Sequence, residues 1–112
     1  MRELHAAGDL GDIPLSVVTA GIIDDEWLAT VPKLAARAQV RLAGLSSNAM
    51  QVVATHSGHF VHEEAPDVVL AAIAQVVEAA RSGSQLGACD EVFGSIVATC
   101  VAPGTVPELV AA

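Results

Sequence analysis

Apolar residues fall into two short β-rich runs and two longer stretches with helical spacing. The first run, Ile13–Ala20, follows a Gly-Asp pair and ends at Gly21, which predicts a buried strand. The second run, Met50–Thr55, contains adjacent valines, as expected for a strand that is covered on both faces. Both runs are short enough for single strands of a layered fold.

The segment between these runs has the features of a helix. Pro32 can occupy a first-turn position and Gly44 can end the helix. The apolar residues that we expect to share one buried face are Leu34, Ala35, Ala38 and Leu42. The pattern therefore predicts a helix over Pro32–Ala43 and, with its flanking runs, a βαβ unit with parallel strands.

A second helix is predicted after the second strand. Pro66 is suited to its first turn and Gly83 to its end. Its predicted apolar stripe consists of Val69, Ile73, Val76, Val77 and Ala80. We expect this stripe to pack against the sheet.

The chain divides into an ordered part and a tail. Residues 1–83 are expected to form one α/β unit, a parallel βαβ arrangement plus a C-terminal helix. A Gly/Ser-rich linker follows, and residues 84–112 form a tail of uncertain structure. Within it, Val92–Val101 fits a helix or a strand equally well, and prolines beyond it discourage a long element.

Composition narrows the classes of function. The chain has 112 residues, five basic against thirteen acidic residues and a net charge of −8, which disfavours nucleic acid and anionic membranes as partners. Neither a signal-peptide layout nor a long enough apolar run is present in the sequence, so we expect a cytoplasmic chain. Cys89 and Cys100 have neither metal-site nor redox-pair spacing. Two inert thiols are expected; the alternative, a disulfide, would require an oxidising compartment.

The most informative segment is a histidine-bearing loop, Ser57–Pro66, between the second strand and the second helix. In it a Gly58-His59 pair precedes the proline that opens the helix. The carboxyl end of a strand, where this loop lies, is the usual place for catalytic groups in α/β proteins.

Through this segment, residues 10–83 resemble the last two strands and helices of α/β-hydrolase fold enzymes. The resemblance implies that His59 is the catalytic histidine, which acts as general base toward a nucleophile. The family's acid usually follows the preceding strand, where Asp24 lies three residues after Gly21, with Asp25 as the adjacent rival. Helix capping explains these two aspartates equally well.

The nucleophile of such a triad is missing from this sequence. The elbow motif needs a serine with glycines two residues before and after it, and none of the serines here has both. The resemblance therefore implies the C-terminal part of a hydrolase, inactive alone, with the missing N-terminal portion or a second copy as partner. A small-molecule substrate would bind only in the completed enzyme, its class stays open, and no cofactor is implied.

Two further functions compete with this interpretation. The chain is compatible with a non-catalytic protein-interaction module, in which His59 is simply a polar loop residue. A zinc site could use the histidines and glutamates of the loop, namely His56, His59, His62, Glu63 and Glu64. Their spacing argues against convergence, because Pro66 stands where a zinc-protease helix needs a histidine, so no metal is expected.

Overall fold

A computed structural model describes residues 9–23 and 32–111 of the chain. Asp24 and Asp25 therefore lie outside the described residues. Along the chain the described elements are β1 (Leu15–Ala20), β2 (Ile22–Ile23), α1 (Pro32–Ala43), β3 (Ala49–Ala54), α2 (Val61–Glu64), α3 (Pro66–Ser82), α4 (Cys89–Val92), β4 (Thr99–Val101) and β5 (Val110–Ala111).

A small mixed sheet organises these elements. Strands β1 and β3 pair in parallel, from Leu15 opposite Ala49 to Ala20 opposite Ala54. Strand β4 pairs antiparallel with the other edge of β3, and β2 pairs with β5 in a separate two-stranded ladder. The predicted α/β class and the parallel βαβ pairing are confirmed, while the antiparallel strand makes the sheet mixed.

The apolar core lies between β3 and helix α3. Alternate side chains of β3 point to one face of the sheet, where they meet α3 and a residue from the C-terminal segment. The buried members of this cluster are Met50, Val52, Ala54, Val68, Ala72 and Phe93. Helix α3 is therefore held against the sheet mainly by burial of short aliphatic side chains.

The opposite face of the sheet carries a buried polar network. The Thr19 hydroxyl donates a hydrogen bond to Gln39 of α1, and the Gln51 amide nitrogen donates to the Thr19 hydroxyl over 3.2 Å. Thr19 and Gln51 are both buried. Because buried polar groups are costly when unpaired, this network fixes α1 against β1 and β3 by mutual satisfaction of donors and acceptors.

The helix boundaries are those predicted, with α1 over Pro32–Ala43 and α3 ending just before Gly83. Gly83 has a φ of 66°, a left-handed conformation that glycine adopts at little cost. Its backbone N–H donates to the carbonyl of Ala79. None of the helices in residues 9–23 and 32–111 has the length and apolar character needed to cross a membrane.

The predicted buried face is wrong for α1 and wrong in part for α3, where Val69 and Val76 of the predicted stripe are half-buried. In α1, Leu34 and Leu42 are 63% and 44% exposed, whereas Ala36 is buried. In α3, Ile73 and Val77 face outward with Ala80, and the buried positions are Val68, Ala72 and Ala79. Each helix has apolar residues on more than one side, so periodicity alone cannot select a face. The short alanine side chains that contact the sheet allow a close approach.

The tail, whose structure the sequence left open, forms short elements. It contains α4, β4 and β5, and α4 and β4 both contact β3. Cys89 and Cys100 form a disulfide with a Cα–Cα distance of 6.0 Å, so the expectation of two free thiols is wrong. The physical reason is long-range: β4 returns along β3 and brings Cys100 beside the helix that carries Cys89.

Candidate functional site

The loops that follow β1 and β3 lie side by side at the carboxyl ends of these parallel strands. The Gly21 N–H donates to the Ala54 carbonyl over 3.0 Å, and the Ile22 N–H donates to the Ser57 carbonyl over 2.9 Å. These bonds continue the pairing past the ends of the strands. The segment that leads toward the predicted acid is thus attached to the histidine loop.

Gly21 is required for this close approach. A Cβ atom at this position would lie 2.5 Å from the Thr55 carbonyl oxygen and 2.7 Å from the Ala54 carbonyl oxygen. Contacts this short with backbone cannot be relieved by a side-chain rotation. The absence of a side chain at Gly21, rather than an unusual φ angle, therefore lets the two loops meet.

The histidine loop has a fixed base and an exposed tip. The Ser57 N–H donates to the Ala54 carbonyl, and the Ser57 hydroxyl donates to the Gly58 carbonyl over 3.0 Å. Ser57 and Gly58 are buried, whereas His59 and Phe60 are exposed. The His59 imidazole packs edge-on against the Phe60 ring, with centroids 5.2 Å apart. The backbone below His59 is held in place while its imidazole faces outward.

The acid of the predicted triad is not tested, because Asp24 and Asp25 lie outside the described residues. Within residues 9–23 and 32–111 the ion pair found near the loop joins His62 to Glu63 at 4.0 Å, between two exposed side chains. Such an exposed pair contributes little to stability. His59 has no carboxylate partner in the described part of the chain.

Metal ligands do not converge in the described part of the chain. His56, His59 and His62 are all exposed on the loop and on α2. No group of three or more histidine, cysteine, aspartate or glutamate side chains is placed there to hold a metal ion. The three exposed histidines therefore form no ligand cluster within residues 9–23 and 32–111.

A cleft that the sequence did not indicate lies beside the carboxyl ends of β1 and β3. It has a volume of about 390 Å³, and its lining includes Gly21, Thr55 and Glu108. The tail closes one side of it, since the Val110 N–H donates to the Gly21 carbonyl over 2.9 Å. The Thr55 and Thr99 hydroxyls share a hydrogen bond of 2.9 Å at its edge. No local pattern could reveal this cleft, because it depends on the path of the tail.

Comparison with known proteins finds no matching family model, no matching curated protein and no matching solved structure. The architecture established for this chain is accordingly the general one, an α/β fold with a mixed three-stranded sheet. The hydrolase resemblance of the histidine loop stays a prediction.

Proposed function

We propose that this chain supplies the base half of an α/β-hydrolase catalytic centre. His59 is the general base, Asp24 is the carboxylate that orients it, with Asp25 as the rival, and another polypeptide provides the nucleophile. The observation that carries this proposal is the attachment of the histidine loop to the segment after β1 through the Ile22–Ser57 hydrogen bond. It supports a juxtaposition of base and acid at the carboxyl ends of parallel strands.

The exposure of His59 suits a base whose target is outside the chain. An imidazole that removes a proton from a nucleophile must reach that nucleophile within hydrogen-bond distance. The buried Ser57 and Gly58 hold the loop backbone, which reduces the conformational freedom of the residue that follows them. General-base assistance contributes about 10² to 10⁴ in rate, and it requires a nucleophile, so the chain alone is expected to be inactive.

Asp24 follows Ile22 by two residues in the sequence. Ile22 is itself hydrogen-bonded to Ser57, two residues before His59. In this proposal the Asp24 carboxylate accepts the Nδ1 proton of His59.

The acid assignment can be tested on the chain itself by proton NMR of the imidazole. In the wild type we expect a low-field Nδ1–H resonance of His59 that exchanges slowly with solvent, because a carboxylate accepts that proton. Asp24→Asn should abolish the signal, and the matched variant Asp25→Asn should preserve it. The reverse pattern would assign Asp25 as the acid, and a signal absent from the wild type would contradict the pairing.

A second candidate function is a protein-interaction module. It is favoured by the outward apolar residues of α1 and α3, which the fold leaves exposed. An assay in which the chain binds a partner while His59→Ala binds equally well would favour this function over the catalytic one.

A further inference from the structure

Strands β4 and β5 pair with the rest of the described structure through short ladders. Strand β4 pairs with β3 over three residues, and β5 pairs with β2 over two residues. The Val110 N–H donates to the Gly21 carbonyl over 2.9 Å, and the Thr55 and Thr99 hydroxyls share a hydrogen bond. Ladders this short are marginal when nothing else supports them.

The Cys89–Cys100 disulfide supplies covalent support for these strands. Cys100 lies in the middle of β4, and Cys89 is the first residue of α4. The α4 end of the bond is anchored, because Phe93 directly after α4 is buried in the core and Cys89 packs against the same cluster. At the other end, Thr99 and Cys100 are exposed. The bond therefore ties an exposed edge strand to an anchored segment.

Residues 99–110 also form one wall of the cleft of about 390 Å³, because most of the cleft's lining belongs to this segment. Val53 of β3 lies in the same lining and is 4% exposed. Adjacent residues of a strand point to opposite faces of the sheet, and the neighbouring Val52 belongs to the core cluster under α3. Release of β4 and β5 would therefore uncover Val53 and leave Val52 covered.

We propose that the Cys89–Cys100 bond is a redox switch, which closes this cleft when it is oxidised and opens the cleft when a dithiol reductant reduces it. In the reduced chain β4 and β5 leave the sheet together, because the chain reaches β5 only through β4. Residues 84–96 stay in place through the burial of Phe93. The proposal goes beyond the catalytic one and does not depend on the role of His59.

The exposure of Cys100 makes the bond accessible to a reductant. A thiolate of the dithiol attacks the Cys100 sulfur and forms a mixed disulfide, while the bond to Cys89 breaks and the Cys89 sulfur takes the electron pair and a proton. The second thiol of the reductant then displaces Cys100 as a thiol and closes the reductant's own disulfide. Exposed disulfides are the labile and regulatory ones in proteins. The redox poise of the compartment would thus set the state of the cleft.

Hydrogen exchange of the oxidised and the reduced wild type tests the opening. Millimolar dithiothreitol without denaturant is expected to reduce the bond, which mass spectrometry after thiol alkylation checks. The amides of β4 that pair with β3, and the Val110 amide, should then exchange about tenfold faster or more, since the loop constraint corresponds to as much as about 100-fold in such an opening.

Methyl NMR of two adjacent valines separates opening of the cleft from general unfolding. A soluble nitroxide broadens the signals of the methyl groups that it can reach. In the oxidised chain the signals of Val52 and Val53 should both stay sharp, because both side chains are buried. After reduction the Val53 signals should broaden, whereas those of Val52, the matched control on the opposite face, should stay sharp.

A double serine variant controls for the reductant. Cys89→Ser/Cys100→Ser should give the open pattern at Val53 and in β4 both with and without dithiothreitol. A variant that keeps the closed pattern would overturn the proposal, as would a wild-type bond that resists dithiothreitol in the folded chain. Complete reduction without a change at Val53 would contradict opening of the cleft. Broadening of Val52 together with Val53 would show that the bond maintains the whole fold, which would refute a switch.

Discussion

The βαβ part of the molecule and its C-terminal segment are held together by different interactions. Residues 13–83 combine parallel backbone pairing with a core of short aliphatic side chains and a satisfied polar network. Residues 84–111 contribute short elements, which are fixed by a three-residue antiparallel ladder, the Cys89–Cys100 disulfide and the burial of Phe93 in the core. The elements of the first region can be recognised from local sequence patterns. Those of the second region depend on contacts between residues that are far apart in the sequence.

The largest expected effect comes from a charge in the core of the first region. Val52 is completely buried on β3, so Val52→Asp would bury a carboxylate without a partner or expel the strand. We expect a loss of about 4 kcal/mol or more in the free energy of unfolding, enough to unfold a domain of ordinary stability. Thermal and urea unfolding followed by circular dichroism measures this.

The matched control for that substitution lies in the C-terminal segment. Val97→Asp introduces the same group at an exposed position and should change the free energy of unfolding by less than about 0.5 kcal/mol. Equal destabilisation by the two substitutions would show that the segment is as tightly packed as the core. The two regions would then not differ in the way described.

Removal of the disulfide should affect the second region selectively. The bond closes a loop of 11 residues in sequence separation, and the chain-entropy model assigns such a loop about 3 kcal/mol. The double variant Cys89→Ser/Cys100→Ser, or the reduced wild type, should lose that amount. Hydrogen exchange should speed up at Thr99–Val101 through local opening, and in β1 only for amides that exchange by global unfolding.

Reductant supplies the control for the cysteine experiment. It should destabilise the wild type and leave the double serine variant unaffected. If reductant changes neither the stability nor the hydrogen exchange of the wild type, then backbone pairing with β3 keeps β4 in place without the disulfide. Because disulfides persist mainly in oxidising compartments, this bond weighs against the cytoplasmic location expected from the sequence.

The smallest expected effect concerns the polar network under α1. Thr19→Val keeps the shape of the side chain but removes the hydroxyl that joins Gln39 and Gln51. A buried amide left without its partner costs about 1 to 3 kcal/mol of the free energy of unfolding. Gln39 is half-buried and can form a hydrogen bond with water instead, so we expect a loss near the lower end of this range. The control Thr105→Val, at an exposed position of the tail, should be neutral in the same urea titration.

Local signals account for the parts of the fold that the sequence predicted. Helix ends are marked by the backbone properties of single residues, namely Pro32, Gly44, Pro66 and Gly83. In the structure the two helices begin at the prolines and end just before the glycines. The parallel pairing follows from the order strand, helix, strand. The buried faces of α1 and α3 were not predicted correctly, because both helices are apolar on several sides and the sheet selects among them.

Long-range contacts account for what the sequence did not predict. The disulfide, β4 and the cleft beside Gly21 all require the tail to return to the sheet. The residues adjacent in sequence do not indicate this return. For the candidate site, the position of His59 after β3 was predictable from the strand and the Pro66 helix start. The attachment of its loop to Gly21 and Ile22 was not, because the need for a glycine there comes from the Thr55 carbonyl.

Reconstitution tests the proposal that His59 is a general base for a nucleophile on another polypeptide. The chain would be mixed with the nucleophile-bearing N-terminal portion of an α/β-hydrolase, and hydrolysis of p-nitrophenyl acetate would be followed for the wild type, His59→Ala and the neighbouring control His62→Ala. If His59 is the base, the wild-type and His62→Ala mixtures hydrolyse the ester, and His59→Ala lowers the rate about 100-fold or more. Absence of hydrolysis by the wild-type mixture, or equal rates with His59→Ala, would contradict it.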